Sequence, residues 1–93
     1  MLNGHNLKKS WRVVVADTAK KHLKRIPYKD AERMEKVTDE MRIDPFSGDV
    51  VKFSDGGNRW RRRIGNYRIM YNILFDEGIV FIYDIQRRTS STY

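Results

Sequence analysis

Arginine recurs through the most basic stretch of the sequence, Arg59-Trp60-Arg61-Arg62-Arg63, and returns at Arg68 and at Arg87-Arg88. A guanidinium stays charged at physiological pH and can hold a phosphate through two parallel hydrogen bonds. Several of them on one surface therefore suit a phosphodiester backbone. Crowding them costs free energy through like-charge repulsion unless an anion occupies the site. No acidic residue stands between Asp55 and Asp76, so nothing in the local sequence neutralises the block. The same alternation also suits a solvated strand face with arginines there for solubility, and the pattern alone does not choose between the two. If a bound phosphodiester reacts, these residues are equipped to stabilise charge on the phosphate. They are poorly equipped to accept a proton, because a guanidinium keeps its own to roughly pH 12. Much of any rate would then come from positioning the substrate.

Other chemistries are thinly supplied. His5 lies near the N-terminus and His22 in the first helical stretch, neither inside the arginine motif; His22 reads as a helix-surface or boundary residue. Asp84, close to the last arginines, reads as a salt-bridge partner in preference to a base. The carboxylates are scattered without ligand spacing, which predicts no metal site. Gly56-Gly57 lacks the lysine and hydroxyl residue of a phosphate-binding loop, and no cofactor is expected.

The elements that must position the arginines follow from periodicity. Trp11 to Val15 is short and β-branched, a first strand. Asp17 can cap a helix carrying Ala19, Leu23 and Ile26 at helical spacing until Pro27 interrupts it. A second helix from Tyr28 places Ala31, Met34, Val37 and Met41 on one stripe and ends at Asp44-Pro45. Val50 to Phe53, Arg59 to Ile64, Tyr67 to Phe75 and Ile79 to Ile85 read as strands, with Gly65-Asn66 a tight hairpin. Connections this short force the last three into an antiparallel meander. Strand alternation puts Trp60, Arg62 and Ile64 on one face and Arg59, Arg61 and Arg63 on the other, joined there by Arg68, Met70 and Asn72. The expected fold is α+β: a strand, two helices, then an antiparallel sheet that the helices cover on one face.

Nineteen lysines and arginines against twelve acids give the 93-residue chain a net charge of +7, the electrostatic footprint of a nucleic-acid binder. The length suits one domain, expected over residues 11–93 behind a flexible N-terminal arm, residues 1–10. There is no cysteine, which fits a reducing cytosol, and no apolar run of membrane-spanning length.

The segment Trp60-Arg61-Arg62-Arg63-Ile64-Gly65-Asn66-Tyr67-Arg68-Ile69-Met70-Tyr71 resembles the central motif of the RelE/ParE toxin superfamily. Leu23-Lys24-Arg25-Ile26-Pro27, Asp44-Pro45 with Val51-Lys52-Phe53, and Val80 to Ile85 running into Arg87-Arg88 extend the likeness over most of the chain. The resemblance implies a RelE-like fold, with an N-terminal strand and a two-helix hairpin packed on a twisted antiparallel β-sheet. It implies the toxin of a type II toxin–antitoxin system, a ribosome-dependent mRNA endoribonuclease. Such a toxin cuts messenger RNA in the A site of the 70S ribosome by metal-free attack of a ribose 2′-hydroxyl, and so inhibits translation. Matched by position, Arg61, Arg63, Arg68 and Arg88 would be catalytic and Tyr93 would stack on a base; Arg59, Arg62 and Arg87 beside them are expected to bind RNA. Arg62 departs from the pattern, standing where the family usually has an apolar residue. The implied partners are the messenger on the ribosome and a cognate antitoxin, with no cofactor, metal or membrane, in the cytoplasm. The alternatives are a ParE-like inhibitor of DNA gyrase and a non-catalytic RNA- or ribosome-binding module.

Overall fold

The apolar periodicities are realised as seven elements in a computed structural model that describes residues 10–88. Most of the expected arm and the terminal Tyr93 lie outside the described residues. The order is β1 (Arg12–Val15), α1 (Asp17–Lys24), α2 (Tyr28–Ile43), β2 (Val50–Lys52), β3 (Arg59–Ile64), β4 (Tyr67–Leu74) and β5 (Ile79–Arg87).

Asp17 does not cap α1 but is its first residue. Ala16 holds the cap position in an extended conformation with no side-chain bond, and Asp17 acts instead as an acid in the first turn, where the helix dipole favours it. The helix tightens at its end, with Arg25 N–H bonded to His22 O and Ile26 N–H to Leu23 O, before Pro27, which holds the N-cap position of α2. Met34, Val37 and Met41 form the buried stripe of α2. Asp44, held extended by the following proline, ends it, and its carboxylate accepts Phe46 N–H at 2.9 Å.

The five strands form one sheet in the order β1-β5-β4-β3-β2. The meander β3-β4-β5 is antiparallel as the short connections require, but β1 joins β5 in parallel, so the sheet is mixed and not wholly antiparallel. The two helices supply the long crossover that a parallel pair needs. They cover one face, and between helices and sheet lies the core of Met34, Met41, Ile69, Tyr71, Ile73, Val80 and Ile82, all but absent from solvent. Each such side chain contributes roughly 1.5–3 kcal/mol by leaving water. No described helix is long and apolar enough to cross a membrane.

Candidate RNA-binding site

The positions of the arginines follow from strand alternation fixed by core residues. Ile64 is buried against the core and Trp60 packs on its margin. The strand register sets Trp60 opposite Tyr71, Arg62 opposite Ile69 and Ile64 opposite Tyr67, all towards the helices. The alternate residues face away from the helices: Arg59 opposite Asn72, Arg61 opposite Met70, and Arg63 directly opposite Arg68. On the next strand Asp84 stands opposite Met70 and Gln86 opposite Arg68. Met70 is 7% exposed yet stands outside the core cluster, forming an apolar floor beside Arg61.

Among the described residues Arg61, Arg63 and Arg68 make no ion pair. Two guanidinium-bearing residues directly across an antiparallel pair repel each other, and here no carboxylate answers them. Arg88 follows β5 with its N–H donating to Asn66 O at 2.6 Å, and its guanidinium reaches Gly65 O at 3.4 Å, beside the β3–β4 turn. The structure thus brings Arg61, Arg63, Arg68 and Arg88 to one face and its adjoining turn. Arg61 also lines a hollow of about 410 Å³ with Val51, Phe53 and Asp55.

The other expected RNA-binding residues are placed differently. Arg59 is on the open face, but it is engaged by Asp55 and lies over the Phe53 ring. Arg62 is a correction: it points to the helix side, only 11% exposed, and pairs with Glu40 of α2 at 2.7 Å. Its neighbours Arg61 and Arg63 must therefore face outward. Arg87 pairs in register with Tyr67 and lines a cavity on the helix side, so the consecutive Arg87 and Arg88 part company. Tyr93 lies outside the described residues.

Two features escaped the sequence. Asn58 braces the start of β3, accepting from Trp60 Nε1 at 2.9 Å and donating to Ile73 O, while its own carbonyl accepts from Asn72 Nδ2 at 2.6 Å. Asp84 does have an ionic partner, but that partner is His22 on α1: Nδ1 is 2.7 Å from Oδ1 and 3.1 Å from Ile85 O. Residues so far apart in sequence carry no local signal of their meeting; the flanking helix and strand patterns were the only clue. Among the described residues no group of three or more His, Cys, Asp or Glu could hold a metal ion.

Titration is perturbed at Tyr71, on the core side of β4. Burial pushes its hydroxyl up to about 12, Arg62 opposing and Asp44 adding to the shift. The neutral hydroxyl donates to Pro45 O at 2.8 Å.

The sequence matches the model of the ParE toxin of type II toxin–antitoxin systems, parDE, over residues 13–91. No curated protein matches at a significant level. Among solved structures the fold is similar to that of an archaeal RelE–RelB complex from Pyrococcus horikoshii OT3, at 23% identity and TM-score 0.78, covering 88% of this chain and 99% of that one. The isolated Escherichia coli RelE toxin is similar at 15% identity and TM-score 0.77, covering 88% of each chain. The RelBE2 toxin–antitoxin complex of Mycobacterium tuberculosis follows at 18% identity and TM-score 0.76, covering 85% of this chain and 99% of that one.

Proposed function

The chain belongs to the RelE/ParE family of type II toxin–antitoxin toxins, and from that premise we propose that it is a ribosome-dependent endoribonuclease acting on messenger RNA. The observation that carries this reading is the directly opposed pair Arg63 and Arg68, with Arg61 beside them, uncompensated by any described carboxylate. Such a cluster is stable chiefly when an anion sits on it, and a phosphodiester supplies that anion.

In the proposed reaction the ribose 2′-oxygen forms a bond to the adjacent phosphorus and the bond to the 5′-oxygen breaks. The 2′-proton passes to solvent water, and solvent water returns a proton to the departing 5′-oxygen. Arg61, Arg63 and Arg68 would hold the phosphate and neutralise the charge gathering on its oxygens, the preorganised role that lowers a barrier most directly. Arg88, at the adjoining turn, would assist the leaving oxygen. Such a site needs RNA presented in line, and the decoding site of the ribosome would impose that geometry. Cutting of free RNA should accordingly be slow or absent. A cognate antitoxin is the second proposed partner: several similar folds were solved as RelE–RelB complexes.

The test is cell-free translation of a defined messenger, with new RNA ends mapped by primer extension. Ends should appear only with ribosomes, at a fixed place within codons, and vanish in Arg68→Ala; their absence with well-folded protein rejects the ribonuclease. The second reading, inhibition of DNA gyrase, is favoured by one observation, that the matching family model is that of ParE. It predicts loss of supercoiling activity when purified gyrase is mixed with the protein and no RNA ends in translation.

A further inference from the structure

A cavity also opens away from the arginine face. It measures about 640 Å³, within the range of roughly 300–1,000 Å³ that small-molecule sites occupy. It lies where α1 runs on past the end of β1: β1 pairs with β5 only as far as Ile82, and beyond it Thr18 Oγ1 donates to Tyr83 O at 3.0 Å. A register shift between Met70 and Tyr71 leaves Tyr83 unmatched and re-aims the end of β5, as a bulge does. The unpaired edge from Asp84 to Arg87 then faces the α1–α2 junction.

The polar lining includes His22, Arg25, Asp84 and Arg87, and the apolar walls include Ile26, Pro27 and Tyr67. The charges do not balance. Asp84 is spent: Oδ1 meets His22 Nδ1 and accepts Ile85 N–H at 2.9 Å, and Oδ2 accepts Gln86 Nε2 at 2.9 Å. Arg25 and Arg87 make no ion pair among the described residues. Because His22 Nδ1 faces two acceptors, the proton sits on that nitrogen, and Nε2 is left for a ligand. Two uncommitted guanidiniums beside apolar walls call for a ligand that is anionic at one end and flat and apolar at the other.

We propose that this cavity is a nucleotide subsite. Arg25 and Arg87 hold a phosphate, Ile26, Pro27 and Tyr67 face the base, and His22 Nε2 bonds a polar edge of the base or ribose. Arg88 touches the β3–β4 turn while Arg87 lines the cavity, so one RNA strand passing round the free edge of β5 engages both. The inference rests on the RNA reading for its biological substrate, but the binding itself is measurable alone.

The experiment titrates the full-length protein with adenosine 5′-monophosphate, following the His22 ring signals by NMR. Parallel titrations use ribose 5-phosphate and inorganic phosphate. The nucleotide should shift the His22 ring and bind more tightly than either fragment. Arg25→Gln and Arg87→Gln, both at exposed positions, should each weaken it about tenfold, as expected for losing a charged hydrogen bond to phosphate. Arg63→Gln should change it less than about twofold. Binding that falls with Arg63→Gln and not with Arg87→Gln puts the nucleotide on the sheet face and overturns the cavity. Equal affinity for inorganic phosphate reduces the site to an anion hole and also overturns it. Loss of antitoxin binding, with nucleotide affinity unchanged, in Arg25→Gln and Arg87→Gln would reassign the cavity to an acidic protein segment. If translation-coupled RNA ends persist while no nucleotide binds, the cavity assignment alone fails. If the nucleotide binds as described and no ends appear, the ribonuclease alone fails.

Discussion

Arg63 and Arg68 face each other with no described counter-charge, and at this scale stability and function pull in opposite directions. Like charges directly across an antiparallel pair cost roughly 0.2–1 kcal/mol. Arg68→Gln keeps a long polar side chain while removing the repulsion, so it should raise the unfolding free energy by about that much. The same variant should abolish RNA ends in translation. Urea denaturation beside primer extension checks both, and a variant less stable than the parent would show that the pair is not strained. Which arginines face outward was legible from Trp60 and Ile64 alone, because two apolar residues on one strand fix the parity of the rest. That Arg62 is occupied was not legible, because Glu40 lies on a helix whose rotation about its axis only packing sets. The His22–Asp84 contact is hidden for the same reason: neither residue type at its own position demands the other.

The strand that presents the site is itself anchored from behind. Arg62 reaches from β3 to Glu40 on α2 and towards Ser47 in the following loop, and its guanidinium lies against Gly48, which adopts φ 83°. The positive φ strains any side chain at Gly48, and a Cβ there would come within 2.6 Å of that guanidinium and push it aside. Glu40 is 54% exposed, which screens the pair, but Arg62 is not, and its Nε already lacks a partner. Glu40→Ala should therefore cost about 1–2 kcal/mol, below the full value for breaking a buried pair. Adding Arg62→Met should recover part of that loss, since the uncompensated charge goes with it; thermal denaturation of the two variants decides. The same loop is held by Tyr71, whose hydroxyl donates to Pro45 O. The folded state keeps the Tyr71 proton more tightly than the unfolded chain, so its contribution is intact below pH 10 and is lost as the pH rises towards about 12. Absorbance of tyrosinate should show a late titration that disappears in Tyr71→Phe, and that variant should unfold with a weaker fall in stability over this window. Helices, hairpin and meander were legible because period and turn length are local properties. The parallel seat of β1 on β5 was not, since only the closed core selects the edge to which a separated strand returns.

For the whole molecule, the helices and their mixed charges lie on one side of the sheet, while Arg61, Arg63 and Arg68 lie on the other and Arg88 at its end. The +7 charge is thus divided in space as well as in sequence. That division makes the salt dependence of RNA binding a count of engaged phosphates, because each phosphate neutralised releases counterions. With Arg61, Arg63, Arg68 and Arg88 each on a phosphate and one more held by Arg25 and Arg87, binding of a single-stranded oligoribonucleotide should fall with log salt at a slope of about −3.5, from about −0.7 per contact. Arg68→Ala should make the slope shallower by about 0.7, whereas Arg62→Met should leave it unchanged, because that guanidinium is committed to Glu40. Fluorescence anisotropy across a salt series measures all three. An equal loss of slope in both variants would mean that the protein is held by diffuse charge and not by a built face. The three slopes therefore separate a site from a merely basic surface, a distinction that the sequence alone left open.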